Sequence, residues 1–139
     1  MKNSEQLIDQ LKKHATRAAG NSYSPYSRFP VGAAVVSEDG SVYSGCNVEN
    51  ASFGLTQCAE RSALTAAICN GAMPGSMKAL VIYTPGETAH SPCGACRQVM
   101  HELMAAGSRV ISSCDSGHRL QWAPEEYLPD PFVPDDLLK

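Results

Sequence analysis

Between residues 4 and 19, Leu7, Ile8, Leu11, Ala15 and Ala18 recur at helical spacing, while Lys12, Lys13 and Arg17 lie largely off that stripe. The pattern predicts an amphipathic helix, capped by Ser4 and ended by Gly20-Asn21. Val31 to Val36 is a continuous apolar run and reads as a buried strand. Glu38-Asp39-Gly40-Ser41 carries the Asp-Gly hairpin signal, so Val42 to Val48 should return antiparallel. From Cys58 to about Asn70 the chain is apolar nearly all round, which predicts a helix buried on several sides, with Gly71 as its stop and Cys69 inert in its packing. Lys78 to Thr84 reads as a third strand. A helix should start near Pro92, turn Val99, Met100, Leu103 and Met104 inward, and end at Gly107. Arg109 to Cys114 and Arg119 to Trp122 complete the strands, and the Pro-rich tail after Pro124 predicts short helical turns. Strands alternating with helices, without repeats or a linker, indicate an α/β fold: one mixed sheet with helices packed on it, in a single domain over residues 1–139.

Composition narrows the classes. With 43% apolar residues, a chain of 139 can bury a core without disulfides. A net charge of −3 and the lack of a basic run argue against a nucleic-acid surface. No apolar run reaches the length of a membrane span. The start, Met1-Lys2-Asn3-Ser4-Glu5-Gln6, lacks the apolar run of a secretion signal, so the expected compartment is the cytoplasm. There the six cysteines are thiols or metal ligands rather than three disulfides.

The chemistry concentrates in two stretches. Cys58-Ala59-Glu60-Arg61 and Pro92-Cys93-Gly94-Ala95-Cys96-Arg97 together read C-x-E and P-C-x-x-C, the Cys₃ form of a zinc deaminase signature. Three thiolates, Cys58, Cys93 and Cys96, leave a fourth zinc position open, as a catalytic site requires. All three would sit at helix N-termini, where unpaired N–H groups stabilise thiolates. Glu60 can stand over the water that the metal activates and shuttle its proton. Arg61 and Arg97 flank the ligands and are expected to donate hydrogen bonds to sulfur, offsetting the excess negative charge. The alternative is a closed structural site, its fourth ligand drawn from Cys46, Cys69, Cys114 or His90. His14, His101 and His118 read as surface or helix residues.

Two further stretches keep alternative readings. Asn47 and Glu49 point to one face of a strand, and an amide beside a carboxylate suits a sugar diol; the same pattern also marks an ordinary solvated strand end. Tyr23-Ser24-Pro25-Tyr26-Ser27-Arg28-Phe29-Pro30 is a loop whose aromatics either pack on the core or line a pocket.

Taken together, these motifs resemble the cytidine deaminase family, specifically its small, single-domain, homotetrameric branch with a Cys₃ zinc site. The resemblance runs through Pro25 to Phe29, Val31 to Ala34, Gly45 to Ala51, Cys58 to Arg61, Ser91 to Val99, and Tyr127-Leu128-Pro129 leading to Phe132. It implies a cytidine deaminase-like three-layer α/β/α fold with a mixed five-stranded sheet. It also implies one Zn²⁺ per subunit on Cys58, Cys93 and Cys96, with Glu60 as proton shuttle. Asn47 and Glu49 would hold the ribose hydroxyls, Phe29 would pack against the pyrimidine, and the Ala59 N–H would meet the base carbonyl. Phe132 would reach a neighbouring subunit's site, although the extra proline in Pro129-Asp130-Pro131 alters the angle at which its ring is presented. The implied reaction is hydrolytic deamination of cytidine and deoxycytidine in pyrimidine salvage. Three rivals remain. One is a deaminase of another aminopyrimidine such as blasticidin S, against which Asn47 and Glu49 argue. The second is a nucleic-acid editor, for which this acidic chain lacks the basic face. The third is a zinc-stabilised scaffold with an idle Glu60.

Overall fold

The alternation of strands and helices resolves into one five-stranded sheet, seen in a computed structural model that describes residues 3–138. Met1 and Lys2, part of the predicted non-signal start, lie outside the described residues, as does Lys139. The strands are β1 (Gly32–Ser37), β2 (Val42–Cys46), β3 (Met77–Tyr83), β4 (Met104–Ser113) and β5 (Leu120–Trp122). Their order across the sheet is β2-β1-β3-β4-β5; only β3 and β4 run parallel as neighbours. Helix α1 (Ser4–Ala19) covers one face. Helices α2 (Ala59–Cys69) and α3 (Gly94–Leu103) cover the other, and the short α4 (Pro124–Tyr127) and α5 (Pro134–Leu137) follow β5.

Strand periodicity sorts side chains between the layers. Ala34, Val36, Val81 and Ile111 face Ile8, Leu11 and Ala15 of α1. The intervening Ala33, Val35, Leu80, Ile82 and Val110 face α2 and α3. One register row, Tyr43–Val35–Leu80–Val110–Trp122, crosses all five strands on this second face. Both sides are therefore dry, and the three-layer α/β/α expectation holds.

Two glycines set the spacing of these layers. A Cβ on Gly32 would lie 1.8 Å from the carbonyl oxygen of Ala15, and one on Gly45 would lie 2.5 Å from the backbone nitrogen of Ala63. Helix backbone rests directly on strand backbone at both points.

Several boundaries differ from expectation, three of them with a visible cause. Asn3, not Ser4, caps α1: its side chain accepts from the Gln6 N–H, and the Gln6 side chain accepts from the Asn3 N–H. Helix α3 ends at Leu103 rather than Gly107. Met104 turns to extended geometry (φ −80°, ψ 149°) and pairs with Met77, and Gly107 (φ 77°) lies where the register jumps to Ala79–Arg109. The Gly75 N–H takes the freed Leu103 carbonyl at 2.9 Å. Strand β2 stops at Cys46: the Asn47 N–H still donates to the Val31 carbonyl at 3.2 Å, but Val48 bridges instead to Tyr23 and Gln57. No helix among the described residues is long and apolar enough to cross a membrane.

Candidate active site

The topology places one edge of the sheet at the centre of the chemistry. Strands β2 and β3 point the same way, and α2 and α3 follow them as crossover helices on one face. Both helices must therefore begin at the carboxyl ends of these strands, the usual place for a site in such sheets. Cys58 is the N-cap of α2 and Cys93 the N-cap of α3, each with extended backbone and no side-chain capping bond. Cys96 follows in the first turn of α3, fully buried. The three sulfurs lie within 4.8 Å of one another, with 3.9 Å between Cys58 and Cys93. No other described residue joins that cluster, so Cys46, Cys69, Cys114 and His90, the fourth ligands of the alternative structural site, do not close it.

The fold pulls two of these thiols in opposite directions. Cys58 is pulled down to about 5, first by a hydrogen bond from Cys96 and then by the Arg61 guanidinium and Cys93. Cys96 is pushed up, first by that same bond and then by burial. Cys58 therefore gives up its proton more readily than Cys96. Arg61 Nη2 donates to Cys58 Sγ at 3.2 Å, as expected, and reaches the Thr56 carbonyl at 3.5 Å. Arg97 departs from expectation. Its Nε donates to the Pro92 carbonyl at 2.9 Å and Nη1 to the Tyr127 carbonyl at 3.1 Å, so it ties the start of α3 to α4 instead of meeting sulfur. Two backbone carbonyls, one just before α3 and one at the end of α4, take its donors.

Glu60, the second residue of α2, is 5% exposed, and burial raises the pKa of its carboxyl. It lies in the wall of a cavity of about 280 Å³ that opens beside Cys58 and Cys93. That size suits a small-molecule ligand. Ala59, the first residue of α2, also lines the cavity; its N–H has no intrahelical acceptor. Val31 and Ile82 form an apolar wall. Phe29 stands at another, its ring edge-on to His90 at 5.8 Å and 73°. Tyr23 and Tyr26 are about half exposed and stay outside the cavity lining, so only Phe29 of the three loop aromatics faces the pocket.

Asn47 and Glu49 reach the cavity from beyond β2. The Asn47 Oδ1 accepts from the Val31 N–H at 2.9 Å and from the Ser22 hydroxyl, while Nδ2 donates to the Phe29 carbonyl at 2.9 Å. Glu49 accepts from the Tyr26 and Ser27 N–H groups at 3.0 and 3.1 Å and from the Ser27 hydroxyl. These bonds, the Ser27 hydroxyl first, hold its carboxyl below the usual range. Phe132 is not brought to its own chain's cavity: it is 58% exposed, and its carbonyl accepts from Gln98 Nε2 at 2.8 Å.

Residues 4–112 match the family described as "Cytidine and deoxycytidylate deaminase zinc-binding region". The chain belongs to that family. It is 43% identical over 127 residues to a cytidine deaminase of Halalkalibacterium halodurans, covering 91% of this chain and 95% of the relative. It is 39% identical over 130 residues to one from Sporosarcina psychrophila, covering 94% of each. A cytidine deaminase structure from Burkholderia pseudomallei superposes with a TM-score of 0.85 at 44% identity, covering 89% of this chain and 98% of that one. The deaminase-family donor set also fits zinc physically. Tetrahedral zinc with bonds of about 2.3 Å to sulfur sets two sulfurs about 3.8 Å apart, against 3.9 Å between Cys58 and Cys93. Three thiols, two at helix N-caps, supply the ligands that such a zinc needs.

One wall of this pocket carries no motif in the sequence. Thr84, His90 and Ser91 line it, and the loop they belong to is lashed to residues 115–118. Asp115 accepts from the Tyr83 hydroxyl and from the Gly86 N–H at 2.8 Å. The Ser116 hydroxyl donates to the Glu87 carbonyl at 2.7 Å, and the Ala89 N–H donates to His118 Nδ1 at 2.9 Å. His118 is thus a clasp rather than a bare surface residue. No local pattern announces it, because its partner is 29 positions away.

Proposed function

We propose that this protein is a zinc-dependent cytidine deaminase that hydrolyses cytidine and deoxycytidine to uridine and deoxyuridine with release of ammonia. The observation that carries the reading is a Cys₃ cluster at two helix N-termini with a buried carboxyl, Glu60, in the same cavity wall. The names of the relatives support it.

Zinc held by Cys58, Cys93 and Cys96 would supply a water acidified from a pKa of about 15.7 toward about 7. Glu60, raised by burial, suits both halves of the proton traffic. It takes a proton from the attacking water and delivers it to ring N3. Water oxygen bonds to C4, the C4–N bond breaks, and Glu60 carries the second proton to the departing amine. The Ala59 N–H meets the 2-oxo group, Phe29 packs on the ring, and Asn47 and Glu49 receive the sugar hydroxyls. The apolar wall formed by the half-buried Val31 and the buried Ile82 helps exclude bulk water. Arg61 offsets thiolate charge at Cys58, and Arg97 keeps the start of α3 in place.

The wider reading is one domain over residues 1–139, acting in the cytoplasm in pyrimidine salvage as a homotetramer. A reducing compartment suits its free thiols. The exposed Phe132 ring suits a reach into a second copy's pocket. The test is an ultraviolet assay of zinc-loaded protein on cytidine, deoxycytidine, cytosine and blasticidin S. Turnover of the two nucleosides alone is expected. Glu60→Ala should keep its zinc and lose about 10²–10⁴-fold in kcat. Near-normal turnover in that variant would remove Glu60 from the mechanism, and turnover of blasticidin S alone would replace the substrate.

A further inference from the structure

Thr84 follows β3 with a polar group that the fold leaves unused. It is 4% exposed, it lines the pocket, and its Oγ1 has no hydrogen-bond partner among the described residues. Its backbone is accounted for, since the N–H donates to the Ser113 carbonyl at 3.2 Å. Ser113 shows the contrast: its equally buried hydroxyl donates to the Ile82 carbonyl at 2.8 Å. Ser108, Ser112 and Tyr127 also bury an unpartnered oxygen, but none of them lines this pocket. A hydroxyl without a partner costs stability that a valine of the same shape would not. Such a cost, in the wall of a ligand site, is the mark of a group kept for the ligand.

The position says which part of the ligand. Ile82 and Thr84 share strand parity on the face of the sheet that carries α2 and α3. Asn47 and Glu49 follow β2, and β1 lies between β2 and β3. Thr84 therefore stands across the pocket from the pair assigned to the sugar. In a cytosine nucleoside the sugar sits on N1 and the amino group on C4, opposite each other across the six-membered ring. A nucleoside held by its sugar at Asn47 and Glu49 turns its C4 edge toward the β3 side.

We infer that Thr84 is a specificity-determining contact for the 4-amino group, its Oγ1 accepting a hydrogen bond from that group's N–H in the bound substrate. The inference rests on the nucleoside deaminase reading. Thr84 gains and loses no proton in the reaction; it orients the amine that Glu60 protonates. One side chain would then distinguish pyrimidines that carry a hydrogen-bond donor at C4 from those that do not.

The test compares wild type, Thr84→Val and Thr84→Ser, all zinc-loaded, on cytidine turnover and on binding of pyrimidin-2-one riboside, which bears only hydrogen at C4. Thr84→Val should lose about tenfold in kcat/KM on cytidine, the worth of one neutral hydrogen bond. Thr84→Ser should stay within about threefold, and Thr84→Val should bind the pyrimidin-2-one riboside within about twofold of wild type. Without ligand, Thr84→Val should melt at or above the wild-type temperature. Equal losses on both nucleosides would overturn the inference, and so would a lower melting temperature, which would mean that the hydroxyl is paired inside the fold. A wild type inactive on cytidine removes the deaminase reading and this inference together. An active wild type matched by Thr84→Val removes this inference alone.

Discussion

Asn47 and Glu49 both line the cavity and also hold its wall together. Asn47 uses both ends of its amide to fix Phe29 and Val31, so Asn47→Ala should damage the pocket wall as well as nucleoside affinity. A fall in melting temperature together with a raised KM would show both roles. Glu49 braces the turn at Tyr26 and Ser27. Its folded pKa is held below the ordinary value, so its contribution to stability is present above the ordinary carboxylate range and is lost as pH falls through the folded pKa. Glu49→Gln should flatten the acid limb of a stability-against-pH curve. It should also raise KM for cytidine while leaving activity on free cytosine little changed, because cytosine has no sugar to lose. Arg61 is the only one of the two flanking arginines to touch sulfur. Arg61→Ala should cost about 10–100-fold in zinc affinity or turnover, read by metal competition and steady-state rates. Arg97→Ala should instead act through the joint between α3 and α4.

Elements carry the site by how closely they approach. Helix α2 brings Cys58, Ala59 and Glu60 to the pocket and lies against β2 at Gly45, where even a methyl group would strike the Ala63 backbone. Gly45→Ala should destabilise by about 1–3 kcal/mol and, on the proposed mechanism, lower kcat as well, because the helix that must shift carries Cys58 and Glu60. Thermal unfolding and turnover measured on the same preparation check this. The loop after β3 is held by groups after β4. His118→Ala should raise KM more than it lowers kcat, with His118→Asn restoring part of the loss by accepting from the Ala89 N–H. A variant with wild-type kinetics would show that the other lashings suffice.

At the scale of the molecule, two crossovers on one face explain why Cys58 and Cys93, 35 residues apart in sequence, meet. The carboxyl ends of β2 and β3 deliver both helix starts to one edge of the sheet. Exposed apolar side chains at Phe53, Leu55, Phe132, Leu137 and Leu138 are what assembly of several copies would cover. If Phe132 serves a neighbour's pocket, Phe132→Ala should lower kcat/KM while light scattering still reports the wild-type assembly.

Much of this was readable from the chain. That Cys58, Cys93, Cys96 and Glu60 would meet at one place was legible, because their types and spacings are those that zinc chemistry requires, and chemistry of that kind is written locally. The three layers followed from periodicity, because a strand buried on both faces and a helix with one apolar stripe have few ways to pack. Other features were decided by packing at long range. Met104 is apolar and suits either state, so its pairing with Met77, not its propensity, ended α3 at Leu103. Arg97 sits beside the ligands in sequence, yet its donors are claimed by carbonyls at Pro92 and Tyr127. His118 and Thr84 look ordinary until the fold sets one against the Ala89 N–H and leaves the other without a partner in the pocket wall. Residue type and spacing determine which chemistry this chain can do. Hydrogen-bond partners depend on distances between segments far apart in sequence, so only the tertiary structure decides which side chains serve that chemistry and which hold its walls in place.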